Sequence, residues 1–586
     1  MTRRARTVAA TVFAAMSVGM STGCVTIPSS SSVHEGREVG VGGDPQQVAN
    51  VVAGPVPGAD KSTVVAGFYA AMLAYPQDVP TAREFLAPQA AVDWDPGAGR
   101  VVYQDLETTQ ADGPGYVDVH ADVLGRLDAR GAWTSAETSD SIRDDRVRLV
   151  RAEGEWRIAN PAPGTFIDSD FFVRNYDPFS VYFFDPSRTV LTPDPVHVAL
   201  GDATATTLVK DLLLGPTGGL GAVATNSVPE GTGLDVAVST SSSGLAEVPL
   251  TADALQLSPD DLRFFAAQLA WTLRQITGID DVTITVEGKR LSVPGYGTDF
   301  SVDAFSGYDP AGFSGERSLF ALGAGGLVTV SEDGVQPVTG PLGQVKDARA
   351  AAVDPSGSLG ALVSQDGHSV VVGGIPNDSE DGPKVWFDKA ADLLRPSFDV
   401  HRVLWLVDRT TRGARIYTVT DGHVREVEVR GLTGQQVVSF AVSRDGVRFV
   451  ASVDRGNESA LLVALIDRDP RNHAKVALRT PRQVVSPATS LVDLGSLAWI
   501  SPTSVVVLAK EPDGEREPWS VAIDGSETDP ANGYLPATPT RIAAGPNTEA
   551  PIAVAARGGL IYVQTPNLEW LPLGGDSRLR APVYPG

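Results

Sequence analysis

The sequence is poor in the residue types that most often carry chemistry. Cysteine occurs once in 586 residues, at Cys24, and histidine occurs seven times. A single cysteine excludes an intrachain disulfide, a thiolate metal site and a CxxC redox pair. The histidines are scattered, without HxH or HExxH spacing, which argues against a zinc protease site. His368 and His423 each follow an Asp-Gly turn and are expected to be solvated.

Basic residues are also scarce. The chain has 47 Lys and Arg against 71 Asp and Glu, a formal net charge of -24 and a pI of about 4.7. Such a chain is repelled by a phosphate backbone, so no nucleic-acid partner is expected. A broad electrostatic grip on anionic lipid is disfavoured for the same reason. The acidity is explained by solubility.

Motifs of known catalytic chemistry are missing as well. The nearest approach to a GxSxG elbow is Gly312–Gly315, in a predicted linker. Gly323–Gly326 lacks the third glycine of a phosphate loop and lies between predicted strands. Ser331–Gly334 lacks the alternating oxygen ligands of a calcium loop and is typical of a hairpin turn. We therefore predict no catalytic residue, no metal ligand and no cofactor.

An uncharged, mostly apolar segment precedes Cys24 near the start of the sequence. Three arginines at positions 3, 4 and 6 precede Val8–Met20, which is too short for a comfortable membrane span. The pattern is that of a signal peptide, predicted over residues 1–23, with small residues before Cys24. It resembles a bacterial lipoprotein signal, although Ser21 stands where an aliphatic residue is usual. Ordinary secretory cleavage with an incidental cysteine is the alternative.

Cleavage before Cys24 would remove three arginines and no acidic residue, which makes the mature charge -24 - 3 = -27. Residues 24–58 are rich in Ser, Gly, Pro and Val without a sustained period, so they are predicted to form a flexible tether. The chain is then predicted to hold three folded domains, which makes the fold class multidomain.

Residues 59–190 are predicted to form an α+β domain. Apolar residues recur at helical spacing between Val64 and Leu73, and a shorter helix is expected over Thr81–Leu86. Val147 and Leu149 alternate with arginines in a predicted strand, and Glu153–Gly154 is a predicted turn. The order of helices followed by a sheet resembles the cone-shaped NTF2-like fold.

Residues 195–300 are predicted to form an α/β domain. Leu234–Ser239, Leu245–Leu250 and Val282–Val286 are predicted strands. Ser258 is the predicted cap of a long helix, with Pro259 at its first position and Gly278 as its left-handed end. The runs "LLLGPT", "SVPEGT" and "TLRQITGIDDVTITVEG" resemble the GerMN module of cell-envelope proteins.

Residues 315–586 are predicted to form an all-β propeller-like domain. A polar turn followed by an apolar strand recurs, and the equivalent positions are 354, 399, 445 and 502. A period near 45 residues is typical of propeller blades of four strands, and the length allows roughly six. Asp-Gly pairs would supply the tight turns.

The order of a lipobox-like cysteine with "VTIPSS", a GerMN-like module and a propeller carrying "LLRPSFDVHRVLWLVDR" resembles the actinobacterial LpqB lipoproteins. The resemblance implies an N-palmitoyl, S-diacylglycerol Cys24 after cleavage at Gly23/Cys24. It implies anchoring in the bilayer at the extracytoplasmic face of the cell membrane. It also implies a partner, the extracellular domain of an MtrB-like sensor histidine kinase, and a role in two-component signalling for cell-wall homeostasis and division.

Two kinds of function remain open from the residues themselves. One is a lipid-anchored interaction protein that is not an enzyme. The other is an envelope hydrolase or glycan-binding protein that uses the mouth of the propeller. Two carboxyl groups at a glycosidase-like separation in that mouth would favour the hydrolase. An exposed apolar patch would favour a partner surface.

Overall fold

The computed structural model describes residues 52–74, 79–110, 114–136, 142–311, 318–376, 382–456, 458–484, 490–531, 533–545, 551–575 and 577–586. The predicted signal peptide, Cys24 and most of the predicted tether lie outside these residues, as does the Gly312–Gly315 segment. The description below concerns the described part of the chain.

The N-terminal domain places helices on a mixed sheet. Its elements are α1 (Lys61–Ala71), α2 (Pro80–Arg83), α3 (Pro88–Asp93), β1 (Arg100–Gln110), β2 (Tyr116–Leu127), β3 (Trp133–Ser135), β4 (Ile142–Ala152), β5 (Glu155–Ile158), β6 (Thr165–Asp168) and α4 (Ser169–Asn175). The sheet order is β5-β4-β2-β1-β6, and β3 pairs with β2. Only the β1–β6 pairing in this sheet is parallel.

Local sequence explains these elements. The Asp60 carboxylate accepts a hydrogen bond from the Thr63 amide at 2.8 Å and caps α1. The predicted apolar stripe is confirmed, because Val64 and Phe68 are buried against the sheet. The predicted turn at Glu153–Gly154 is also confirmed, with both residues at positive φ between β4 and β5.

The middle domain begins with a long hairpin and continues with a small sheet covered by helices. Its elements are β7 (Tyr176–Phe184), β8 (Leu191–Ala199), α5 (Thr204–Leu214), β9 (Ser239–Thr240), β10 (Leu245–Leu250), α6 (Pro259–Leu273), β11 (Asp281–Val286), β12 (Lys289–Arg290) and β13 (Asp299–Ser301). The sheet order is β12-β11-β10-β9, with β13 on β11 and a parallel pairing between β10 and β11.

The α6 start follows the sequence prediction. The Ser258 hydroxyl accepts from the Asp261 amide at 3.1 Å, and Pro259 is the first helical residue.

Two predictions in the middle domain were wrong. The expected strand over Leu234–Ser239 is reduced to an isolated bridge from Leu234 to Leu250, with β9 starting only at Ser239. Gly278 has the expected positive φ, but α6 ends earlier, at Leu273.

The C-terminal domain consists of short strands throughout. They are β14 (Leu319–Leu322), β15 (Leu327–Ser331), β16 (Gly334–Pro337), β17 (Ala348–Val353), β18 (Leu359–Ser364), β19 (Val370–Gly374), β20 (Lys384–Phe387), β21 (Ser397–Phe398), β22 (Leu404–Thr410), β23 (Gly413–Thr420), β24 (His423–Val427), β25 (Gln436–Val442), β26 (Arg448–Asp454), β27 (Ser459–Asp469), β28 (Asn472–Leu478), β29 (Arg482–Val484), β30 (Leu497–Ser501), β31 (Ser504–Ala509), β32 (Glu517–Ala522), β33 (Thr528–Pro530), β34 (Pro539–Ala543), β35 (Ala553–Ala556), β36 (Ile561–Gln564), β37 (Trp570–Leu573) and β38 (Arg580–Val583).

These strands form six sheets, which we number as blades. Blade 1 is β38-β14-β15-β16, and blades 2 to 6 begin at β17, β21, β25, β30 and β34. The first strands of the blades neighbour one another around an axis, and β38 contacts both β17 and β34. The last strand of the chain therefore completes the first blade and closes the ring. This confirms the propeller-like expectation.

The recurring polar turns connect the first and second strands of blades 2 to 5. Asp354 and Asp399 are fully buried, and each accepts hydrogen bonds from amides of its own turn. This bonding explains the periodic aspartates of the sequence. In the β23–β24 hairpin, Asp421 and Gly422 both have positive φ, as a two-residue turn requires. Ser331–Gly334 forms a hairpin turn, as expected.

An acidic side chain is buried where the N-terminal and middle domains meet. Asp211 of α5 is 5% exposed, and its Oδ2 has no hydrogen-bond partner among the described residues. Burial raises its pKa to about 7, and the charge of Asp128 from the N-terminal domain adds to the rise. Arg130, beside Asp128, donates to the carbonyl oxygens of Gly215 and Pro216 at 2.7 Å.

We predict that Asp211→Asn stabilises the protein at neutral and alkaline pH. A pKa raised from 3.8 to about 7 means that the folded state binds the extra proton in this range, so wild-type stability falls as pH rises through it. The free energy of unfolding of the wild type falls by up to about 4 kcal/mol. The variant does not lose this stability, because Asn does not ionise. Urea unfolding at about pH 4 and about pH 8 measures the difference, which should vanish at the lower pH.

Asp235→Asn is the matched control, because Asp235 belongs to the same domain and is exposed. It should not change the pH dependence of the unfolding midpoint. Equal unfolding midpoints for wild type and Asp211→Asn at about pH 8 would contradict the assignment.

Candidate functional site

The hairpin β7–β8 of the middle domain packs on one face of the propeller through buried polar groups. Arg448, at the start of β26, donates to the Thr192 hydroxyl at 3.0 Å and also bonds to the Pro193 carbonyl oxygen. Asp445, in the preceding turn, accepts from the Thr192 hydroxyl at 2.7 Å. Arg448 and Asp445 lie 3.3 Å apart and are both buried. The arginine is thereby held by groups from both domains.

A second buried pair supports the same face. Arg468, at the end of β27, contacts the Asp399 carboxylate, and both side chains are almost completely buried. His401 follows Asp399 and lies 3.8 Å from Asp185 of the β7–β8 turn. Burial, with the nearby charge of Arg468, lowers the pKa of His401 to about 4. His401 is therefore neutral at physiological pH.

A cleft of about 1170 Å³ lies where the three domains meet, and we call it the junction cleft. Its lining includes residues from the N-terminal domain, the middle domain and the propeller, among them Trp133, Ser135, Asp194, Thr217, Arg448 and Asp524. The N-terminal domain reaches the propeller here, since the Ser135 hydroxyl donates to the Gly525 carbonyl oxygen at 3.3 Å.

The acidic groups of the junction cleft are engaged by neighbours. Asp194 accepts from the Thr217 amide at 2.6 Å and from its hydroxyl at 2.8 Å. Burial nevertheless raises the pKa of Asp194. His197 Nε2 lies 3.5 Å from an oxygen of Asp524. Burial acts to raise the pKa of Asp524, but His197 and Ser526 outweigh it and the net direction is downward.

The junction cleft thus presents mixed charge and hydrogen-bonding groups. Each charged group has its own partner: Arg448 donates to Thr192, Asp194 accepts from Thr217, and Asp524 accepts from the Ser526 amide at 3.0 Å.

The propeller axis is nearly filled by side chains. A cavity of about 30 Å³ remains, lined by small and aromatic residues of the first strands together with Arg395 and Arg444. Arg444 donates to the Pro585 carbonyl oxygen at 2.8 and 3.0 Å, and burial lowers its pKa to about 9. The described residues around this cavity include no Asp or Glu. The paired carboxyls of a glycosidase do not lie there.

The structure places only some of the residues that the sequence singled out where they were expected. Cys24 lies outside the described residues, and its lipidation stays a prediction. His368 and His423 are exposed, as expected. His197 is buried at a domain contact, and the His401 side chain is only 8% exposed at another, which the sequence did not indicate. Two arginines were also missed: Arg448, which contacts the middle domain, and Arg395, which bonds to carbonyl oxygens of β30 and β34. No motif marks which arginine becomes buried.

No group of three or more His, Cys, Asp or Glu side chains among the described residues is arranged to hold a metal ion. Within the same residues, no helix has both the length and the apolar character to cross a bilayer.

Comparison with protein families gives three matches along the chain. The family described as Lipoprotein LpqB, N-terminal domain, matches residues 54–173, and Sporulation and spore germination matches residues 180–292. Lipoprotein LpqB beta-propeller domain matches residues 325–585. The middle domain is accordingly GerMN-like, as the sequence predicted.

Full-length relatives give the same result. Lipoprotein LpqB of Cutibacterium acnes is 28% identical over 527 residues, which cover 86% of this chain and 87% of the relative. The protein of the same name from Streptomyces avermitilis is 28% identical over 605 residues, with 96% of each chain covered. That from Mycobacterium bovis is 28% identical over 555 residues, with 90% of each covered. With two LpqB-specific domain matches in this order and relatives along nearly its whole length, the chain belongs to the LpqB lipoprotein family.

Proposed function

We propose that this protein is anchored at the extracytoplasmic face of the cell membrane by lipid on Cys24. The sequence support is the position of the only cysteine, directly after an apolar segment and small residues. A diacylglycerol thioether with an added N-palmitoyl chain supplies several acyl chains, and two or more chains suffice for stable anchoring. Family membership supports the same view.

We further propose that the anchored protein binds the extracytoplasmic domain of an MtrB-like sensor histidine kinase and modulates its signalling in cell-wall homeostasis and division. The observation that carries a partner-binding role is an exposed apolar group on the outer edge of blade 6. Tyr534 is 87% exposed, Leu568 46% and Leu571 48%. We call these three residues the blade 6 edge. Exposed apolar groups on an outer strand are typical of protein contacts.

The residues of the blade 6 edge belong to one region. Leu571 lies in β37, the outermost strand of its blade. Gly533, next to Tyr534, approaches the Leu568 backbone so closely that an added Cβ would lie 1.9 Å from the Leu568 carbonyl oxygen. This approach requires glycine and holds Tyr534 beside the edge strand.

For the N-terminal domain, we propose an NTF2-like arrangement. Support comes from helices α1 to α3 packed on the sheet through one apolar cluster, which contains Phe68, Trp94 and Phe166. The alternative function, an envelope hydrolase or glycan-binding protein, gains no support from the axial cavity, whose lining carries arginines.

Cys24→Ala should move the protein from the membrane fraction to the soluble fraction, because the acyl attachment point is lost. Ultracentrifugation of cell extracts followed by immunoblotting measures this. Ser29→Ala, in the Ser-rich segment after Cys24, is the control and should remain with membranes. Retention of Cys24→Ala in the membrane fraction would contradict the lipid anchor.

The purified extracytoplasmic domain of the kinase should bind the wild-type protein in a pull-down. The double variant Tyr534→Ser, Leu571→Ser should bind about tenfold or more weakly, because it removes exposed apolar contact area. Titration by surface plasmon resonance gives the ratio.

Val385→Ser is the matched control for that titration. Val385 is 60% exposed and lies on β20, the outermost strand of blade 2. It should bind like wild type. No binding of the wild type at high concentration would rule out the kinase as partner, whereas equal binding of all variants would place the contact elsewhere than the blade 6 edge.

A further inference from the structure

One face of the propeller contacts the middle domain, and the opposite face does not have this role. In blades 2 to 6, the turn between the first and second strands and the turn between the third and fourth lie at the same end, because neighbouring strands are antiparallel. Asp445 of blade 4 and Asp524 of blade 5 lie in such turns and contact Thr192 and His197 of the middle domain. The opposite face carries the links between blades and the turns between second and third strands. We call the axial opening on that opposite face the free mouth.

Arg395 forms the floor of the free mouth. It lies in the link from blade 2 to blade 3 and crosses the axis to blades 5 and 6. Its guanidinium donates to the Leu497 carbonyl oxygen at 2.7 Å and to the Ile542 carbonyl oxygen at 2.9 Å. Among the described residues, no carboxylate pairs with it. Burial lowers its pKa to about 10, and the charge of Arg541 adds to this effect.

Arg541 lies beside Arg395 and is open to solvent. It is an exposed residue of β34, the first strand of blade 6. Desolvation by the surrounding protein lowers its pKa, and repulsion from Arg349 and Arg409 adds to the change. Arginines from blades 2, 3 and 6 therefore act on one another across the free mouth.

The acidic groups present do not balance these arginines. Asp392 lies within ion-pair distance of both Arg349 and Arg409. Asp408 is buried and accepts from the Asp392 amide at 2.7 Å. Among the described residues, four guanidinium groups thus face two carboxylates, a local excess of positive charge in a chain with net charge -24.

We propose that the free mouth binds an oxyanion, a carboxylate or phosphate group of a small soluble ligand, between Arg541 and Arg395. A guanidinium group offers paired N–H donors that match two oxygens of a carboxylate or phosphate. A partly enclosed site strengthens such contacts because water screens them less. The negative charge of the bound anion would balance the positive charges of Arg395 and Arg541. This site is independent of the kinase contact at the blade 6 edge.

Calorimetric titration of the purified full-length protein with inorganic phosphate and with citrate tests the proposal, against sodium chloride at the same ionic strength. We expect saturable binding of phosphate, citrate or both, and the stronger of the two identifies the preferred oxyanion. Arg541→Gln removes one charged donor pair and should weaken that binding about tenfold or more. The variant should fold normally, because Arg541 is exposed.

Arg425→Gln is the control, since Arg425 is exposed on β24, the outermost strand of blade 3. It should bind the anion like wild type. The control also separates site binding from the general stabilisation that phosphate gives to folded proteins. Absence of saturable binding by wild type, or equal binding by Arg541→Gln, would overturn the proposal.

Discussion

The pairing of β38 with β14 is the interaction on which the rest of the structure depends. Phe320 pairs with Val583 in this ladder, which joins the two ends of the propeller domain. The closure is reinforced beyond the strand, where the Gly586 amide donates to the Val353 carbonyl oxygen at 2.9 Å and Arg444 bonds to Pro585. A chain with one cysteine has no disulfide to do this. The docking face for the middle domain combines turns of blades 3, 4 and 5, whose relative positions the closed ring helps to fix.

Buried arginines set the second constraint. An arginine removed from water is costly unless carboxylates or carbonyl oxygens receive its donors. Arg468 with Asp399 and Arg448 with Asp445 satisfy this requirement at the face that meets the middle domain. Removing either partner of such a pair leaves a buried charge, so the turns that carry the aspartates and the domain contact are stabilised together. Although the whole chain is acidic, the charged residues that line the axial cavity are the arginines Arg395 and Arg444.

Features that depend on near neighbours in the chain could be predicted from the sequence, whereas contacts between distant segments could not. The Ser258 cap, the helical stripe around Phe68 and the spacing of Asp354, Asp399 and Asp445 depend on near neighbours in the chain, and the structure contains each. The expected strand at Leu234–Ser239 failed because apolar residues alone do not supply a pairing partner. The burial of Asp211, His197 and Arg395 depends on segments far away in sequence, so no local pattern could mark them. The residue patterns predicted the domain order, and the resemblance to LpqB proteins rested on that order.

The use of the two propeller faces restricts where other molecules can bind. The face built from Asp445, His401 and Asp524 is occupied by the protein's own middle domain through buried polar contacts. Opening it would expose paired charges and break several hydrogen bonds at once, so it is a poor site for reversible binding. The free mouth and the outer blade edges remain accessible. Their chemistry differs, because Arg541 offers a charged donor and Tyr534 an aromatic surface. The proposed anionic ligand and the proposed protein partner would therefore occupy separate places on the propeller and would not compete for one surface.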